Sequence, residues 1–98
     1  MNSDKTTVIF RRFKPNGDYI ALFPYEIWDQ HGNIMSYQHL GQHGSADYND
    51  VMMATKPAIP EREPVCMLLK RELESIGYIL KIDKGMNRRR YNAALSKL

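Results

Sequence analysis

The chain has 98 residues, with 14 Lys and Arg against 11 Asp and Glu, 43% hydrophobic residues and 10% aromatic ones. This is the composition of a folded domain rather than a disordered tail, and the length allows one hydrophobic core and excludes two. A lone cysteine, Cys66, excludes an internal disulfide framework, and no apolar run approaches the roughly 18 residues of a membrane span.

The start Met1–Lys5 is too polar to open a signal peptide, so the expectation is a cytoplasmic protein of bacterial type, with residues 1–5 outside the fold. Residues 6–13 are β-branched and aromatic and predict a strand. Asn16-Gly17 supplies a tight turn, after which Tyr19–Phe23, apolar on both faces, predicts a central antiparallel strand. Pro24 lacks an N–H, so pairing stops or bulges there, with Tyr25–Trp28 as a distorted extension. A second turn at 29–33 leads to a third strand over 34–40, which completes a meander.

Residues 41–46 read as loop. Either Ser45 or Asp47 caps a short helix over 48–55, or a strand runs over 51–56; periodicity leaves both open. The clearest helix is 64–76, with Pro64 at its first position, Val65, Leu69, Leu73 and Ile76 at helical spacing, and Gly77 as its stop. Residues 78–83 alternate as a strand. Asn87 then caps a last helix whose stripe is Tyr91, Ala94, Leu95 and Leu98. The expected architecture is a single α+β domain: a mainly antiparallel sheet of about four strands, in the order β-β-β-α-β-α, with the main helix on one face.

Charge is segregated along the chain. Lys5, Arg11, Arg12 and Lys14 open it against Asp4 alone, and Lys81, Lys84, Arg88, Arg89, Arg90 and Lys97 close it against Asp83. Residues 15–55 contain no Lys or Arg but carry Asp18, Glu26, Asp29, Asp47 and Asp50, with His31, His39 and His43. Either the basic ends neutralise the acidic middle in the fold, or the two signs make separate faces.

The run Asn16-Gly17-Asp18-Tyr19-Ile20-Ala21-Leu22-Phe23-Pro24, followed by the later helix, resembles the N-terminal half of HicB-type antitoxins. The resemblance implies a partial ribonuclease-H-like sheet without catalytic residues, which binds a toxin protein. Where that family carries an acidic-Leu-Pro-Gly turn, this chain has Tyr25-Glu26-Ile27-Trp28. The chain is also similar to small proteins of bacterial plasmids and phages.

Three groups of residues are candidates for function. Tyr25 and Trp28, beyond the regular pairing, together with His39, His43, Asp47 and Tyr48 form a protein-binding set. Arg11, Arg12, Lys14, Arg88, Arg89 and Arg90 form a nucleic-acid-binding set, provided the last strand returns beside the first. His39, His43 and Asp47 are spaced by four, as metal ligands on a helix would be, but Gly41 and Gly44 interrupt a helix there, so turn and cap hydrogen bonds are the majority reading. Ser45, His43 and Asp47 offer the residue types of a hydrolytic triad without any evidence of its geometry, and Cys66 lies beside an apolar stripe. No phosphate loop, paired-carboxylate motif or cysteine pair is present. The expectation is a small non-catalytic binding or regulatory protein without a cofactor. Its partner is a macromolecule, a protein before a nucleic acid.

Overall fold

The computed structural model describes residues 5–38 and 42–98. Its elements are β1 (Lys5–Phe13), β2 (Tyr19–Ile27), β3 (Ile34–Gln38), β4 (Gln42–Ala46), α1 (Tyr48–Ala54), β5 (Thr55–Pro57), α2 (Pro64–Ser75), β6 (Ile79–Ile82) and α3 (Arg88–Leu95). They form one α+β domain in which the sheet runs β4-β3-β2-β1-β5, with antiparallel neighbours throughout. β6 joins β1 in parallel, from Lys5↔Ile79 to Val8↔Ile82.

One flank of β1 is thus divided between two strands. The Val8 carbonyl accepts from Asp83 N–H at 2.9 Å, and the Phe10 carbonyl accepts from Ala58 N–H at 3.1 Å. Backbone groups alternate sides along a strand, so β6 and β5 lie end to end on the flank opposite β2.

The local signals act where they stand in the sequence. Gly17 takes φ +77° in the first turn, Gly77 takes φ +110° after α2, and the Asn87 side chain accepts from Arg90 N–H at 3.0 Å to cap α3. The pairing of β2 with β3 shifts register between Phe23 and Ile27, around Pro24. Residues 47–56, open between helix and strand, contain both: α1, capped by Asp47, runs directly into β5.

The sheet has six strands among the described residues, not about four. β4 stands where a loop was expected, because Gln42–Ala46 owes its extended form to pairing with β3 rather than to β-forming side chains. β5 likewise is drawn out by β1. β1 begins at Lys5, one residue inside the segment expected to lie outside the fold.

Both faces of the sheet are covered. On one, Val8, Phe10, Ala21, Phe23 and Tyr37 pack against Cys66, Leu69 and Leu73 of α2. On the other, Ile9, Ile20, Leu22, Ile34 and Ala46 pack against Tyr48, Val51 and Met52 of α1 and Tyr91 of α3. The Cys66 thiol is buried, and that burial pushes its pKa up to about 12, so it stays a protonated core group.

Two tyrosine–carboxylate pairs tie α2 to the sheet. The Tyr19 hydroxyl donates to Glu63 at 2.6 Å, and the Tyr37 hydroxyl donates to Glu72. The hydrogen bond to Glu72, then desolvation, hold the Tyr37 phenol protonated and push its pKa up to about 12. A phenol whose pKa is raised on folding stabilises the fold below its free value and loses that contribution as pH rises through the folded one. Stability is therefore expected to fall between pH 10 and about 12 as Tyr37 ionises. Chemical denaturation across that range, compared with Tyr37→Phe, measures the contribution; equal alkaline slopes in the two proteins would remove Tyr37 from the account.

Candidate functional site

The site is assembled around the start of α3. This helix buries no residue fully, so Tyr91, half-buried, and three tyrosine hydroxyls hold it to the body. The Tyr25 hydroxyl of β2 accepts from Asn87 N–H at 2.8 Å, and the Tyr48 hydroxyl of α1 accepts from Met86 N–H at 3.0 Å. The Tyr91 hydroxyl donates to the Gly32 carbonyl at 2.6 Å. The receiving loop is itself fixed: the Asp29 carboxylate accepts from His31 N–H, Asn33 N–H and the Asn33 side chain at 2.9, 3.3 and 3.0 Å. Those bonds, that of the Asn33 side chain first, hold the Asp29 carboxyl below its usual pKa.

The same tyrosines carry the arginines. The Arg90 guanidinium lies 4.1 Å from the centre of the Tyr25 ring. Arg88 lies 5.8 Å from the Tyr48 ring and 5.7 Å from the Tyr91 ring, and donates to Asn49 Oδ1 at 3.0 Å. Arg89 is exposed, and none of the three forms an ion pair among the described residues. Beside Arg88 opens a cleft of about 170 Å³, walled by His31, Asn33, Asp47, Asn49 and the two tyrosines. Its size admits one amino-acid side chain, and the guanidinium at its edge carries N–H donors of the kind that bind a carboxylate or phosphate.

Gly32 is the tightest point of this assembly. It takes φ +83°, and a Cβ there would meet the Tyr91 hydroxyl oxygen at 2.5 Å. Gly32→Ala is expected to cost about 2 kcal/mol, from left-handed strain and the displaced hydroxyl together. Urea denaturation checks it, and Tyr91→Phe, which loses the hydroxyl but not the backbone fit, should cost less.

The two sequence-predicted sets are thus divided and recombined. Tyr25, Asp47, Tyr48, Arg88, Arg89 and Arg90 lie at the α3 end, while Trp28, 48% exposed, ends the β2 extension beside the 29–33 loop. His43 lies on the opposite face, edge-on to Tyr37 at 4.7 Å with Nε2 3.2 Å from the Tyr78 hydroxyl. Because Asp47 caps α1 across the sheet from His43, the two do not combine as a ligand set or a triad. His39 lies outside the described residues. Among those residues no three His, Cys, Asp or Glu side chains converge as a metal site would require.

The basic set does not form one patch. Arg11, expected at the surface, is only 8% exposed. Its Nε donates to Thr55 Oγ1 at 2.9 Å, and its Nη2 donates to the Thr55 and Met52 carbonyls at 2.9 and 3.3 Å. It satisfies the carbonyl end of α1, and burial lowers its pKa. Arg12 points to the α2 side, 5.7 Å from the Tyr19 ring. Lys14 meets the Met53 carbonyl at 3.4 Å, at the far end of α1 from Arg88 and Asn49. β6 does return beside β1, but this does not carry α3 to the first-strand cations.

Sequence reasoning missed His31, Asn33, Asn49 and Tyr91 as cleft walls. Tyr91 was assigned to an apolar stripe, and nothing local marks a residue whose polar tip reaches another loop. Comparison with protein families, with curated proteins and with solved structures finds no match to this chain. No helix among the described residues is long and apolar enough to cross a membrane.

Proposed function

We propose that this is a small non-catalytic binding protein whose α3 end engages an acidic site on a protein partner. The observation behind this reading is that three successive guanidinium groups form no ion pair among the described residues, two of them held in place by tyrosine rings. Arginine and tyrosine are the residue types that dominate protein-binding surfaces, and a side chain already ordered by a ring loses less freedom on binding. A nucleic-acid backbone would favour a continuous basic track, whereas Arg11 is buried and Arg12 faces the other side. The likeness of the first hairpin to HicB-type antitoxins, which bind a protein, supports the same class of partner.

The test is the triple change Arg88→Ala, Arg89→Ala, Arg90→Ala. Cations in the first turn of a helix are disfavoured by about 0.3–1 kcal/mol each, and exposed cation–ring contacts return about 0.5–1 kcal/mol, so stability should move by less than about 1 kcal/mol. Proteins captured from a bacterial lysate treated with nuclease should be retained by the parent and lost by the variant. Fluorescence anisotropy with single-stranded and duplex oligonucleotides should show little binding at any salt. Steeply salt-dependent oligonucleotide binding that the triple change abolishes would assign the surface to nucleic acid instead.

A further inference from the structure

We infer that α3 is a latch: it leaves and rejoins the body as a unit, hinged at Lys84 and Gly85, while the sheet, α1 and α2 stay folded. The hinge lies between two anchors. On one side, Asp83 N–H donates to the Val8 carbonyl at 2.9 Å and holds the end of β6 to β1. On the other, Met86 N–H and Asn87 N–H donate to the Tyr48 and Tyr25 hydroxyls, which fix the start of α3. Lys84 and Gly85 are exposed, bend the chain, and make no hydrogen bond among the described residues.

What holds α3 down is small against what holds the rest. The helix buries no residue, and only Tyr91, Ala94 and Leu95 are half-buried. Its first turn carries three cations where the helix dipole disfavours them, and none forms an ion pair among the described residues. The buried residues of this sheet face pack against Val51 and Met52 of α1 as well as Tyr91, so they keep a cover when α3 lifts. A segment with little buried apolar surface and an exposed backbone opens at a lower free energy than the whole fold. Opening takes Arg88 and Tyr91 out of the cleft wall and parts Arg90 from the Tyr25 ring. The cleft and the ring-held arginines therefore exist only while the latch is closed. This holds whatever the surface binds, and does not rest on the function proposed for it.

The experiment is amide hydrogen exchange of the full chain, followed residue by residue by NMR at increasing urea. The α3 amides, from Tyr91 N–H bonded to Asn87 through Ser96 N–H bonded to Asn92, should exchange at least about tenfold faster than those of β1 and β2. Their urea slope should also be smaller, because lifting α3 exposes less surface than unfolding does. Two variants separate the two kinds of opening. Phe23→Leu weakens the core on the other sheet face, which stays folded when the latch is open, so it should speed exchange in β1 and β2 and leave the α3 rates unchanged. Tyr91→Phe removes the bond to the Gly32 carbonyl, which only the closed state makes, and should speed α3 exchange about fivefold. The proposal is overturned by α3 amides that share the urea slope of the sheet and accelerate with Phe23→Leu, that show no protection at all, or that ignore Tyr91→Phe.

Discussion

Phe23→Ala is expected to destabilise the protein by about 3–5 kcal/mol, the range for removing a fully buried aromatic side chain. Phe23 is 0% exposed at the centre of β2, stacked on Tyr78 with ring centroids 5.2 Å apart. It belongs to the cluster through which Val8, Phe10 and Tyr37 of the sheet meet Cys66, Leu69 and Leu73 of α2. The hole left behind cannot close easily, because strands bound on both sides of β2 fix its walls. For a chain of this size the loss corresponds to a melting temperature lower by more than about 12 °C. Urea denaturation with an unchanged slope would assign the loss to the native core. Phe23→Leu, which keeps most of the volume, should lose much less; equal losses would point to the ring stacking rather than the cavity.

The second large effect falls on a charged residue. Arg11→Ala should cost about 3 kcal/mol, because a charged donor is removed from three acceptors and the end of α1 is left unsatisfied. Lysine keeps the charge but not the fork that reaches Thr55 Oγ1, the Thr55 carbonyl and the Met52 carbonyl together, so Arg11→Lys should recover only part of the loss. The same denaturation experiment measures both variants. A loss below about 1 kcal/mol would mean that the carbonyls find water once the guanidinium is gone.

Arg11 also shows where reading the sequence succeeds and where it stops. Alternation along β1 places Arg11 and Arg12 on opposite faces, and so they are. That the Arg11 face would be roofed by the last turn of α1 depends on a contact 44 residues away, which no local pattern encodes. Pro64, Gly77 and Asn87 were legible because each acts on its own backbone. β4 and β5 were not, since Gln42–Ala46 and Thr55–Pro57 become strands only through their neighbours. At the α3 end, the three arginines stood out in the sequence, and so did Tyr25 and Tyr48, but as two separate sets; Tyr91 and the meeting of the sets did not. Tyr25, Tyr48 and Tyr91 come from three separate elements and converge only when α3 docks.

The divided flank of β1 sets a clock on folding. The meander of β1, β2 and β3 needs only short loops to close, on a scale of microseconds. Pairing Lys5 with Ile79 closes a span of 74 residues, some three doublings longer than a hairpin and dearer by about 2 kcal/mol of chain entropy. On a ribosome adding about 5–20 residues per second, roughly 2–8 s separate the synthesis of Gln38 from that of Ile79. For that interval Val8 and Phe10 are available before the elements that cover them have been made. The nascent chain therefore offers chaperones an apolar sheet face that the finished protein never shows.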